Sequence, residues 1–228
     1  MDSTKKTARI AGVLYLILAI TGAYGILFIP SKIIVPGDAA ATASKLLANE
    51  FLFRTGIIND LISNIIFVFL VLVLYRLLKG VNLNNAKLMV ALVLVQIPVV
   101  FISEAFNIAS LMLFKGEILK TFELSQRQDL AMLFLNINSY GTITLEIFWG
   151  LWLLPFGLLV YKSGFIPRVF GYLLIIGGVA YIIESLTQIL LPGYSASVSQ
   201  FAFVFYSIGE LSIIFWLLIK GVKVQTES

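Results

Sequence analysis

Apolar residues come in six long runs separated by short polar stretches: near Ile10 to Phe28, Gly56 to Leu78, Leu88 to Leu111, Leu135 to Tyr161, Val169 to Leu191 and Phe201 to Ile219. Each approaches or exceeds the ~20 residues a helix needs to cross a hydrocarbon layer about 30 Å thick. In that solvent every backbone N–H and C=O must be satisfied within its own segment, which selects helices. The pattern predicts an all-α polytopic membrane protein, a bundle of six transmembrane helices forming a single integral membrane domain over residues 1–228. The first run follows Lys5, Lys6 and Arg9 as a signal peptide would. It is ~19 residues long with no clear small-residue cleavage motif behind it, and reads as a retained first span.

Two connections are longer than the rest, Ser31 to Phe53 and Met112 to Ala131. In the first, Pro36-Gly37 makes a turn that places Asp38 to cap a helix over Ala39 to Ala48, with Leu46, Leu47 and Phe51 available to the interface. In the second, Ser125 and Gln128 have capping-box spacing at the head of the fourth span. Both read as interfacial ties, with a lid over something beneath as the alternative.

Composition agrees with the pattern: 60% of residues are hydrophobic and 12% charged. The chain has no cysteine and no histidine, which removes disulfides, thiolate or imidazole metal sites, haem ligation and histidine-dependent triads. Chemistry is left to carboxylates, amides, hydroxyls and lysine. Sorting the basic residues by side gives the orientation. With a cytoplasmic N-terminus that side holds Lys5, Lys6, Arg9, Arg76, Lys79, Lys87, Lys162, Arg168, Lys220 and Lys223, against Lys32, Lys45, Arg54, Lys115, Lys120 and Arg127 outside. The short turns carry the excess, so both termini are expected in the cytoplasm and the protein in the plasma membrane. The net charge of +4 then reflects topology and anionic lipid, with no nucleic-acid partner implied.

Three short segments recur in the same order. Arg9-Ile-Ala-Gly12-Val-Leu14 resembles Arg168-Val-Phe-Gly171-Tyr-Leu173, Val35-Pro36-Gly37 resembles Leu191-Pro192-Gly193, and Leu78-Lys79-Gly80-Val81 resembles Ile219-Lys220-Gly221-Val222. A hairpin of spans one and two duplicated as spans five and six would give this; so would similar constraints at each bilayer face.

Five acids fall inside spans, Asp60, Glu104, Glu146, Glu184 and Glu210, with no lysine or arginine among them. The first four lie 16 or 17 residues from the nearest basic residue of the cytoplasmic side, about 24 Å at 1.5 Å per residue, and so one layer. Glu210 is 10 residues from Lys220, at ~15 Å, nearer the midplane. Polar neighbours stand at helical spacing: Asn64 with Asp60, Asn107 with Glu104, Ser139 and Thr142 with Glu146, Tyr181 and Gln188 with Glu184, Tyr206 and Ser207 with Glu210. Such stripes should face a shared interior. Gln96 beside Pro98 reads as a kink with a satisfied amide, and Trp149, Trp152 and Trp216 as packing or belt residues.

Leu135-Asn-Ile-Asn-Ser-Tyr-Gly141, Phe148-Trp-Gly-Leu-Trp152, Tyr161-Lys-Ser-Gly-Phe-Ile-Pro-Arg168 and Gly209-Glu210-Leu211, with Thr7 to Leu16 and Ile34 to Leu61, resemble a bacterial six-helix membrane family catalogued as domain of unknown function 4386. The resemblance implies recurring segments at Pro36-Gly37-Asp38, Ser139-Tyr140-Gly141, Ser163-Gly164 and Arg168, and an acid at the positions of Asp60, Glu184 and Glu210. Some members place histidine where this chain has Asn138 and Trp152, so no histidine-based role carries over, nor any catalytic residue.

Three functions compete. One is an outward-facing carboxylate-lined cavity binding or transporting a cation, a proton or a basic small molecule, using the five acids with Asn64, Asn107, Ser139, Tyr140 and Gln188. Another is a scaffold or sensor partnering a second membrane protein. The third is a lipid-directed enzyme, for which no nucleophile can be named. No cofactor is expected, the lipid bilayer is the expected partner, and metal binding and oligomeric state are left open.

Overall fold

The computed structural model describes residues 3–222. Lys223, counted in the charge reading, lies outside the described residues. The described residues are helical without a strand: α1 Ser3–Ala23, a π-helical turn Tyr24–Phe28, α2 Ile29–Ile33, α3 Ala39–Ala48, α4 Glu50–Leu78, α5 Leu83–Phe114, α6 Leu124–Lys162, α7 Arg168–Leu190, a 3-10 turn Pro192–Tyr194 and α8 Ser195–Ile219. Six segments are long and apolar enough to cross a membrane, Ser3–Ile33, Glu50–Leu78, Leu83–Phe114, Leu124–Lys162, Arg168–Leu190 and Pro192–Ile219.

Most of these extend past the apolar runs that announced them. The 39 residues of α6 make a rod about 58 Å long, because its polar first turns, Ser125 to Asp129, continue the helix instead of preceding it. Its start is Glu123, whose N–H donates to Gln126 Oε1 at 3.0 Å. The cap therefore sits two residues before the Ser125 and Gln128 pair. Asp38 behaves as its position promised: its carboxylate accepts from Ala41 N at 2.8 Å and starts α3. Pro98 is carried inside α5 without ending it.

Two compact units are distinguishable. One comprises Met1–Ile17, Ile66–Gln96 and Ile143–Ser228, the other Leu18–Ile65 and Ile97–Thr142. In the first, α6 and α7 meet glycine on glycine. A Cβ at Gly171 would stand 2.7 Å from the Gly157 carbonyl, and one at Gly178 2.7 Å from that of Gly150. Small residues let the two backbones touch, the usual way helices associate where lipid offers no hydrophobic drive. An aromatic core surrounds Trp152, 2% exposed, whose ring stacks on Phe156 and meets Phe67 and Tyr15. In the second unit, Ile29, Ile33, Leu46, Phe53, Leu111 and Leu135 form a buried apolar cluster. At its polar margin Glu50 pairs with Arg54 at 2.7 Å and with Lys115 at 3.3 Å, and Lys115 with Glu117 at 2.9 Å. Glu117 and then Glu50 hold the Lys115 ammonium above the ordinary lysine range.

Candidate functional site

The five intramembrane acids fall into two groups, one in each unit. In the first unit the group is Glu146 on α6, Glu184 on α7 and Glu210 on α8. Glu210 is tied on both oxygens: Tyr15 of α1 donates to Oε2 at 2.6 Å and Tyr181 of α7 to Oε1 at 2.9 Å. Tyr181 is in turn stacked on Tyr206 of α8, centroids 3.8 Å apart and planes within 5°, and meets Trp149 nearly at right angles, centroids 5.9 Å apart. Gly177 makes this possible, since α8 passes so close that a Cβ there would stand 3.0 Å from the Tyr206 Cα.

Glu146 and Glu184 are held differently. Gln188 of α7 donates to Glu146 Oε2 at 3.1 Å, and Glu146 and Glu184 are close enough to repel one another when both are ionised. Glu184 is buried, 5% exposed, with the hydroxyls of Ser199 and Tyr206 alongside. Its Oε2 nevertheless has no hydrogen-bonding partner. Below it, Ser185 donates to the Ile143 carbonyl at 2.6 Å and fixes α7 against α6 at this level. No lysine or arginine among the described residues forms an ion pair with any of the three.

The second unit holds Asp60 on α4 and Glu104 on α5. Asn59 bridges, donating to the Thr21 carbonyl at 2.8 Å and to Asp60 Oδ1 at 3.0 Å. Gly25, within the π-helical turn, lies directly against the Asp60 carboxylate, with no room for a side chain. Glu104, 4% exposed, accepts from Asn107 at 2.9 Å. Asn138 of α6 reaches across to the Ser103 carbonyl at 3.0 Å. Amides thus supply the donors around both acids.

The stripes drawn along single helices misassign most partners. Asn107 does serve Glu104, but Asn64 donates to the backbone carbonyl of Asp60 at 2.9 Å, leaving the carboxylate to Asn59. Tyr181 serves Glu210 instead of Glu184, Gln188 serves Glu146, and Thr142 bonds the Asn138 carbonyl at 3.3 Å. Ser139 and Tyr140 are exposed on α6, Tyr140 by 65%, and neither is drawn into a group. The amide of Gln96, expected to be satisfied, is 1% exposed with neither polar atom hydrogen-bonded, and Pro98 lies inside α5 without ending it. Trp152 packs as expected, and Trp216 rests on Phe170.

Residues the helical-spacing argument passed over are Tyr15, Asn59, Trp149 and Ser199. Tyr15 lies in a run with no acid of its own, 195 positions from Glu210, so no local pattern could mark it. Among the described residues no group of three or more acids is arranged to hold a metal ion.

The family described as Domain of unknown function (DUF4386) matches residues 10–221. An "Uncharacterized protein" of Archaeoglobus fulgidus is 39% identical over 79 residues, which is 35% of this chain and 45% of that protein, so the chain spans about half the length of the curated relative it matches. No solved structure matches the chain.

Proposed function

We propose that this chain, which belongs to the DUF4386 family, is a membrane-embedded binding or transport protein for a proton or a small cation, working at Glu146 and Glu184. The observation that carries this reading is the orphaned Glu184 Oε2, buried beside a second carboxylate with no ion pair to either among the described residues. An ionised carboxylate at membrane depth costs about 2.5 kcal/mol or more, and two together cost more again. The pair is relieved by what binds a carboxylate from outside the chain, a proton or a cation. Three acids without a metal-holding arrangement, surrounded by tyrosine hydroxyls and an amide, favour the proton or an organic ammonium over a multidentate metal.

Glu210 supports the scaffold alternative for its own position. With both oxygens accepting from tyrosines on other helices, it serves as a tie joining α1, α7 and α8. The two roles separate experimentally. Thermal unfolding of the purified protein, followed across pH and with added sodium or alkylammonium ions, should shift in the wild type. Glu184→Gln and Glu146→Gln should fold and lose that shift, because glutamine keeps the shape and hydrogen bonding of a protonated acid without its charge. A shift that survives both substitutions would remove the binding reading and leave the scaffold.

A further inference from the structure

Away from the acids, the first unit has an open cavity of about 560 Å³ between the first turns of α1, the last turn of α4 and the turn into α5. The end of α4 and the turn after it contribute Arg76 and Lys79 to its lining, α1 the hydroxyl residues Ser3, Thr4 and Thr7, and α5 Leu83. Among the described residues no acidic side chain lines it. Among the described residues the ion pairs join only Glu50, Arg54, Lys115 and Glu117, so neither cation is neutralised by a carboxylate. Lys79 rests its ammonium 5.9 Å from the Tyr75 ring, which orients it without removing its charge. Thr7 uses its proton on the Ser3 carbonyl at 2.9 Å, which leaves its oxygen lone pairs and fixes this face of α1. The spacing of Arg76 and Lys79, i and i+3, keeps both on one side as α4 ends.

We infer that this cavity binds a phosphate group, with Arg76 and Lys79 neutralising it and donating to its oxygens. A guanidinium gives a planar fork for phosphate oxygens and an ammonium a point charge beside it. The volume is in the range of small-ligand sites. Depth favours a lipid headgroup as the source: Arg76 and Lys79 stand at the end of the apolar run Gly56 to Leu78, and the run of α5 begins only at Leu88, after Lys87, the level where phosphates of a bilayer lie, and basic pockets between spans commonly take anionic headgroups. Leu77 and Leu83 then meet the start of the acyl region. A free phosphate would use the same groups.

The test compares thermal unfolding of the delipidated full chain with inorganic phosphate, with phosphatidylcholine vesicles, and with vesicles containing added phosphatidylglycerol. Phosphatidylglycerol should raise the unfolding temperature of the wild type, and Arg76→Gln with Lys79→Gln should weaken the apparent affinity about tenfold or more. Lys162→Gln with Arg168→Gln, which removes equal charge from the α6–α7 turn, should leave it unchanged. A gain reproduced by phosphate alone assigns the site to free phosphate, and one needing phosphatidylglycerol assigns it to lipid. Should the double variant fail to fold, Lys79→Gln alone gives the milder readout and should also weaken binding. Equal gains in wild type and the Arg76, Lys79 variant, or no response to either probe, overturn the inference.

Discussion

Tyr15 shows how much one hydroxyl can matter when its partner is a carboxylate. It is 1% exposed, and its O–H donates to Glu210 over 2.6 Å, a short bond of the charge-assisted kind if Glu210 is ionised. Removing the donor leaves Glu210 Oε2 without this bond, while the ring of residue 15 keeps its contacts with Trp152 and Phe156. Tyr15→Phe should therefore destabilise the protein by about 1–3 kcal/mol. Glu210→Gln should cost less, since a tyrosine hydroxyl can turn to accept from the new amide. Thermal unfolding in detergent checks the order. If Glu210→Gln proved the more damaging, the tie reading of Glu210 would fail and its charge would have to be the reason for keeping it.

At the scale of elements, the apolar runs located every span, because a bilayer leaves one way to satisfy a buried backbone. They missed the ends, since the polar residues Ser125 to Asp129 and the serine-rich stretch Ser195 to Gln200 continue helices beyond the apolar runs. They also missed the partners. Spacing along one helix shows which residues share a face, as with Glu104 and Asn107, but Gln188 reaching Glu146 is decided by how closely α6 and α7 approach. That approach rests on glycines, whose spacing, Gly150 with Gly157 and Gly171 with Gly178, was present in the chain as a signal that the acids overshadowed. Gly171→Leu places a branched side chain where a Cβ alone meets Gly157 O at 2.7 Å and Tyr161 N at 2.7 Å. Backbone cannot yield as a side-chain tip can, so the cost should be at least the 1–3 kcal/mol or so of an overpacked core. Gly80→Leu, in open space, should cost much less. Comparable unfolding temperatures for the two variants would contradict a close α6–α7 contact.

For the whole molecule, the carboxylates were legible as a class and their division was not. Counting residues from the basic ends treats each span as a separate rod, and on that count Asp60, Glu104, Glu146 and Glu184 are equivalent. In the structure the first two belong to a unit where asparagines supply the donors, and the last two to one where tyrosines and glutamine do. Depth survives in one relation: Glu210 bonds to Tyr181, one turn nearer the Arg168 end of α7 than Glu184. Orientation rests on charge alone. The short turns at Lys79 and Gly80 and at Lys162 to Arg168 are basic, and short loops dominate insertion because long ones translocate with little regard to their charge. With six segments able to span, that rule would put both termini on the side of those turns, and the longer connections bearing α3 and the Glu50, Lys115 ion pairs in the opposite compartment. A fluorescent protein fused after Ser228 should fluoresce in the cytoplasm, and a phosphatase active only outside should stay silent there while gaining activity when inserted near Lys120. A silent fluorescent fusion with an active C-terminal phosphatase would reverse the orientation, and would move the Arg76, Lys79 cavity to the outer leaflet.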